Sequence, residues 1–118
     1  MDRLTFDDAD LKPDNGIYIG RWEQRYPELA GLPFGAMWFE VPAGGESVID
    51  CHPEFELAVV VEGAATFVVN GADSPAPAGT AILLRPGEKH IVKAEGDRSA
   101  KVLSLYWMPT PQGDPDAA

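Results

Sequence analysis

Short apolar segments separated by turn residues run through most of the chain. From Phe34 onward the apolar runs end repeatedly at Gly, Pro or Asn, and turn signals recur roughly every eight to twelve residues. Runs of this length are typical of strands, and no helical periodicity extends across neighbouring runs. The pattern predicts an all-β domain, a sandwich or barrel, with strands at 34–41, 46–52, 56–62, 65–70, 80–85, 89–94 and 99–107.

The two ends of the chain differ from this central part. Residues 1–33 begin acidic and without apolar periodicity, so they are interpreted as an arm with one short strand at 17–19. Within the arm, 23–33 is interpreted as a connection or a single helical turn. Residues 34–107 form the predicted barrel. Residues 108–118 are rich in Pro and polar residues, which predicts a disordered tail. The segment 74–79, rich in Pro and Ala, is expected to be a loop.

Composition restricts the kind of protein. A chain of 118 residues has room for one domain, and its 12 Gly and 11 Pro leave little space for long helices. The formal charge of −10 repels phosphate backbones and anionic lipid, so neither nucleic acid nor a membrane is an expected partner. The single cysteine, Cys51, cannot form an intrachain disulfide, and no apolar signal segment follows Met1. We therefore expect a cytoplasmic protein.

Candidate chemistry centres on the two histidines of the chain. Strand alternation places Asp50 and His52 on one face. Glu56 has the same parity, but four residues of straight strand would separate it from His52 by roughly 13 Å. A sharp bend at 53–55, where a proline follows His52, would bring the two together. With His90 as a third ligand, two imidazoles and a carboxylate would form a facial triad that suits iron, zinc or manganese.

The spacing of these residues resembles the two motifs of the cupin superfamily. The first motif, G-x5-H-x-H-x3,4-E-x6-G, is matched by Gly44-x5-Asp50-x-His52-x3-Glu56-x6-Gly63, with aspartate where the first histidine stands in the family. The second, G-x5-P-x-G-x2-H-x3-N, is similar to Gly79-x6-Pro86-Gly87-x2-His90, with Arg85 at the usual proline position and Ala94 replacing the closing asparagine. The resemblance spans about 34–107.

The resemblance implies a small jelly-roll β-barrel that holds one divalent metal ion, zinc or iron or manganese, in its mouth. His52, Glu56 and His90 match metal-binding positions of the family. Asp50 replaces the missing histidine, and three roles are open to it: a fourth oxygen ligand, an acceptor that orients a histidine, or the catalytic general base. The resemblance also implies a homodimer, for which the aromatic strand 34–39 is a candidate contact.

Three further residues are candidates for substrate binding. Trp38 and Tyr106 combine an aromatic ring with a hydrogen-bond donor, and Arg85 could bind a substrate carboxylate. We expect a mononuclear metalloenzyme, a dioxygenase or a Lewis-acid isomerase, lyase or condensing enzyme, that acts on a small polar organic acid or an amino-acid-derived compound. Two alternatives stay open: a zinc cupin of bacterial secondary metabolism involved in nitrogen–nitrogen bond formation, and a non-catalytic cupin that binds or senses a small ligand.

Overall fold

The computed structural model describes residues 1–6 and 10–110. Within them the chain is almost entirely β, with only one helical turn, α1 (Trp22–Arg25), followed by a 3₁₀ turn (Pro27–Gly31). The all-β prediction is confirmed. The strands are β1 (Lys12–Asp14), β2 (Ile17–Arg21), β3 (Gly35–Val41), β4 (Phe55–Glu62), β5 (Ala64–Val69), β6 (Ala72–Pro77), β7 (Ala81–Leu84), β8 (His90–Ala94) and β9 (Ala100–Trp107).

The strands form two antiparallel sheets that enclose one core. The larger sheet has the order β1-β2-β3-β9-β4-β7, and the smaller has the order β6-β5-β8. Side chains from both sheets meet in a single buried cluster, since Phe39, Val60 and Val102 of the larger sheet pack with Phe67 and Val92 of the smaller. Two facing sheets with alternating inward residues give the jelly-roll arrangement.

The arm at 1–33 contributes more structure than its sequence predicts. Asn15 and Gly16 both adopt positive φ, 53° and 82°, which is the geometry of a two-residue type I′ turn. This turn joins β1 to β2, and β2 pairs with β3, so the arm extends the larger sheet by two strands. The predicted short strand at 17–19 therefore lies inside β2.

Two predicted segments differ from the structure. The predicted strand 46–52 forms only isolated bridges, because its N–H groups bond alternately to two neighbours: Ser47 donates to Val92 of β8, and Val48 donates to Asn15 of the arm. The expected loop at 74–79 overlaps β6, which among the described strands pairs only with β5. An edge position tolerates proline, since one side of the strand needs no donors.

The strand proposed as a dimer contact is not an open edge. β3 lies between β2 and β9 and pairs with both, and its Phe39 is only 3% exposed. The homodimer itself stays a prediction. The predicted tail falls largely at 111–118, which lies outside the described residues. Neither helical segment in the described part of the chain has the length and apolar character to cross a membrane.

Candidate metal centre

The site lies inside one end of the barrel, where inward-facing residues of the larger sheet form rows across the strands. In one row Gly35 pairs with Tyr106, and Tyr106 pairs with Glu56. In the neighbouring row Met37 pairs with Ser104. Because paired residues of adjacent strands point to the same face, these side chains converge on one cavity.

Asp50, His52 and His90 form the centre of this site. One potential ligand atom from each lies within 4.8 Å of the others. Asp50 and His90 are joined by two reciprocal backbone hydrogen bonds of 2.9 Å, which place their side chains next to each other. The imidazole rings of His52 and His90 meet edge to face, with centroids 4.9 Å apart. Asp50 also accepts a 2.8 Å hydrogen bond from the N–H of Cys51, whose own side chain faces away and is exposed.

Backbone carbonyls orient both imidazoles. Nδ1 of His52 lies 3.1 Å from the carbonyl oxygen of Glu54, and Nδ1 of His90 lies 3.0 Å from that of Glu88. A carbonyl oxygen only accepts, so each Nδ1 is the donor and each Nε2 is the nitrogen that can bind a metal ion. Such an arrangement fixes the ring and is common for metal-binding histidines.

Glu56 contacts this group through His52. The chain bends at Pro53 and Glu54, as predicted, and the bend brings Glu56 Oε1 to 3.1 Å from His52 Nε2. Glu56 is only 7% exposed, and its Oε2 accepts a 2.8 Å hydrogen bond from the hydroxyl of buried Ser104. The bond to Glu56 raises the pKa of His52 to about 9, against the opposing effect of burial. His52 therefore carries a proton that a metal ion would have to displace.

These residues fit a divalent cation. The 3.1 Å between His52 Nε2 and Glu56 Oε1 is close to the ~3 Å between neighbouring ligand atoms that each lie about 2.1 Å from one metal ion. Two imidazoles with carboxylate oxygens suit zinc, iron and manganese, and the carboxylates balance the charge of the cation. Asp50 lies within the cluster of potential ligand atoms, whereas Glu56 stands next to it, at hydrogen-bond distance from His52.

Tyr106 lies at the mouth of the same cavity. The cavity is about 110 Å³ in volume, and its lining includes Tyr106, Asp50, His52 and Glu56. Burial and the charge of Glu23 raise the pKa of the Tyr106 phenol, so the hydroxyl keeps its proton and can donate to a ligand.

The structure does not bring the other two predicted substrate-binding residues to this cavity. Trp38 has the opposite parity to the inward-facing Met37, and its ring packs on the outer face against Phe6 and Trp22, with centroids 5.5 Å and 5.4 Å away. Arg85 is exposed in the turn between β7 and β8, where its backbone N–H donates to Glu88. Strand parity explains the placement of Trp38, since a residue next to an inward-facing one points outward.

Sequence reasoning missed Arg21 and Ser104. Both have an inward parity that could have indicated them: Arg21 follows Ile17 and Ile19 at alternate positions of β2, and Ser104 has the same parity as Tyr106. A polar residue at an inward position of an otherwise apolar strand needs a buried hydrogen-bond partner. Such a residue can be found in the sequence and indicates a polar site inside the barrel. Ser104 is fully buried and bonded to Glu56.

The fold and the cluster together define a small jelly-roll barrel with a histidine and carboxylate centre. The sequence matches the Cupin_2 family model, described as a cupin domain, over residues 37–106. The chain belongs to the cupin family.

Several solved structures superpose on the chain over most of its length. A Cupin 2 conserved barrel domain protein from Salinispora arenicola is 30% identical, with a TM-score of 0.80 over 91% of this chain and 88% of that one. The plu4264 protein from Photorhabdus luminescens is 22% identical, with a TM-score of 0.74 over 99% and 89%. The polyketide cyclase RemF from Streptomyces resistomycificus is 19% identical, with a TM-score of 0.72 over 98% and 89%. The last two likenesses show the fold alone.

Proposed function

We propose that the chain is a mononuclear metal-dependent enzyme that acts on a small polar organic acid or an amino-acid-derived compound. His52, His90, Glu56 and Asp50 would hold one divalent transition metal ion. The observation that carries the proposal is the orientation of the two imidazoles. Both Nδ1 atoms are bound to backbone carbonyls, and each ring has a potential ligand atom within 4.8 Å of one from Asp50.

The donor set determines what chemistry is available. A bound zinc ion would supply a Lewis acid, and a bound iron ion would supply oxygen chemistry. Ser104 holds the Glu56 carboxylate in place through its 2.8 Å hydrogen bond. A smaller cavity of about 60 Å³ is lined by Asp50, Glu56 and His90 together with apolar side chains that include Phe67, Leu84 and Val92, so the candidate ligands border the apolar core. Tyr106 offers a neutral hydroxyl at the mouth, where it can orient a substrate.

Elemental analysis of protein purified without a histidine tag tests the proposal. We expect close to one equivalent of zinc, iron or manganese in the wild type, and strong loss of that metal in His52→Ala, His90→Ala and Glu56→Gln. Glu62→Gln is the matched control for Glu56→Gln, because Glu62 is exposed and pairs with Arg98 and Lys101 away from the cavity. Chelation followed by addition of each metal identifies the ion that restores binding.

Circular dichroism of the same samples separates loss of metal from loss of fold. A folded wild-type protein that contains no metal and takes up none of the three ions would contradict the proposal. Equal metal content in the wild type, His52→Ala and His90→Ala would contradict the assigned ligands, even if the protein binds metal elsewhere.

A non-catalytic role in binding a small ligand is the second candidate. It is favoured by the hydrogen bond between His52 and Glu56, which satisfies both side chains without a cation. The same elemental analysis distinguishes the candidates, since a barrel that only binds a ligand is expected to be folded without an equivalent of metal, whereas the proposed enzyme holds close to one.

A further inference from the structure

Arg21 reaches the metal-site cavity from the arm, outside the two motifs that carry the other site residues. It is the last residue of β2, in which Ile17 and Ile19 have the same parity and face the barrel interior. Arg21 pairs in register with Met37 of β3. Because Met37 also lines the cavity, the pairing directs the Arg21 side chain towards the same space.

The cavity brings Arg21 together with the candidate metal ligands. Its lining includes Arg21, Asp50, His52, Glu56 and Tyr106. Within the described residues Arg21 is the only Lys or Arg side chain in that lining. At about 110 Å³ the cavity is far below the roughly 300 Å³ at which drug-sized ligand pockets begin. The space therefore suits a ligand of a few heavy atoms.

The lining holds the positive charge of Arg21 together with three carboxylates, those of Asp50, Glu54 and Glu56. Asp50 and Glu56 belong to the proposed metal site, where a divalent cation would neutralise them. Arg21 forms a long ion pair of 4.0 Å with Asp14, and both side chains are partly exposed, 39% and 44%. An exposed pair at this distance contributes little, about 0–1 kcal/mol. A ligand carboxylate can replace the Asp14 carboxylate next to Arg21 and form bidentate hydrogen bonds with the guanidinium group.

Tyr106 is an uncharged hydrogen-bond donor in the same lining. It pairs with Glu56 across β9 and β4, and it lines the cavity together with Arg21. The phenol hydroxyl of a tyrosine keeps its proton at neutral pH. A protonated hydroxyl can donate to an anionic oxygen.

We propose that Arg21 and Tyr106 bind the carboxylate of a small organic acid at the mouth of the cavity, next to the centre formed by His52, His90 and Asp50. The inference rests on the proposed function and narrows its substrate class to small carboxylates. It also replaces Arg85 with Arg21 as the residue that binds the carboxylate.

Titration of ¹⁵N-labelled protein with small acids, followed by NMR, tests the inference. The probes are acetate, glycolate and malonate, each compared with its neutral amide, and each is added to both metal-free and zinc-treated protein. We expect the wild type to bind at least one acid more tightly than its amide. Arg21→Gln should weaken binding of that acid by about ten-fold to a hundred-fold, the usual effect of losing a hydrogen bond between charged groups.

Three more variants test the role of each group. Arg21→Lys keeps the charge but loses the planar fork, so its affinity should lie between those of the wild type and Arg21→Gln. Tyr106→Phe should weaken acid binding while leaving amide binding almost unchanged. Arg98→Gln removes the same charge from an exposed side chain, which pairs with Glu62 at the far end of β4. This variant should bind the acid as tightly as the wild type does.

The outcomes separate this inference from the metal proposal. Acid binding that is equal in the wild type and Arg21→Gln, or equally reduced in Arg98→Gln, overturns the inference whether or not zinc binds. A wild type that binds none of the acids in preference to its amide also overturns it. Binding that depends on Arg21 in a protein that takes up no metal supports the inference and contradicts only the metal proposal.

Discussion

Gly35 leaves the space that Tyr106 occupies, and Gly35→Ala tests this relation. A Cβ atom built on Gly35 overlaps the Tyr106 ring and lies 2.7 Å from the Tyr106 hydroxyl oxygen. The overlapping atoms belong to the far end of the ring, so the ring must turn away from β3. We expect destabilisation by about 1–2 kcal/mol, in the lower part of the usual cost of overpacking, because the half-buried ring can move towards the mouth.

The same substitution has a different effect when the ring is absent. In a Tyr106→Ala background the new methyl group meets no ring, and replacing glycine with alanine inside a strand is favourable by roughly 0.5–1 kcal/mol. The two substitutions should therefore be coupled by about 2 kcal/mol, well above the ~0.5 kcal/mol error of additivity for distant sites. Gly31→Ala is the matched control, since a Cβ atom there meets nothing within 4 Å.

Urea unfolding of the metal-free proteins measures all of these values. Chelated samples are needed because a bound metal ion would add its own stabilisation to the folded state. The transition midpoint should shift without a change in slope if the variants keep the native fold. A Gly35→Ala effect that is the same with and without the Tyr106 ring would refute the steric argument, as would a Gly31→Ala effect of similar size.

Two further predictions concern the inner wall of the barrel. Ser104→Ala leaves the buried Glu56 carboxylate without its 2.8 Å donor, which should cost about 1.5–3 kcal/mol in urea unfolding and weaken zinc binding by about ten-fold to a hundred-fold. Ser99→Ala, which loses only a 3.5 Å contact to Glu40, should change neither; equal effects would contradict the role of Ser104. Because the pKa of Tyr106 is raised in the folded state, its contribution to stability is complete below pH 10.0 and is lost as pH rises through the folded-state pKa. Ultraviolet difference titration of the wild type against Tyr106→Phe should show this late ionisation, and a difference that titrates at or below the ordinary tyrosine pKa would exclude it.

The strands and the ligand cluster follow from different kinds of sequence information. Alternation and turn residues predict most strands, because whether a strand position is apolar or polar depends on which face of the sheet is buried. The bend at Pro53 and the shared parity of Asp50 and His52 are also local, so they could be predicted. The pairing of β1 with β2 depends on the conformation of Asn15 and Gly16, a turn signal that lies in a segment without apolar periodicity.

Parity alone cannot show which of two faces is the inner one. Trp38 and Tyr106 were equivalent candidates in the sequence, but the first packs outside against Phe6 and the second lines the cavity. Register decides between them, because Tyr106 pairs with both Gly35 and Glu56, and register is set by contacts between strands that are distant in sequence.

If Arg21 binds a substrate carboxylate as proposed, the arm contributes to the choice of ligand. The two motif segments place His52, Glu56 and His90, yet all three could occupy the same positions in barrels that bind very different compounds. Arg21 comes from β2, and β2 joins the sheet through the turn at Asn15 and its pairing with β3. A barrel with the same motifs and a different arm would keep the candidate metal ligands and lose the guanidinium group of Arg21. Specificity in this chain is therefore expected to change with substitutions in β2 that leave metal content unaltered.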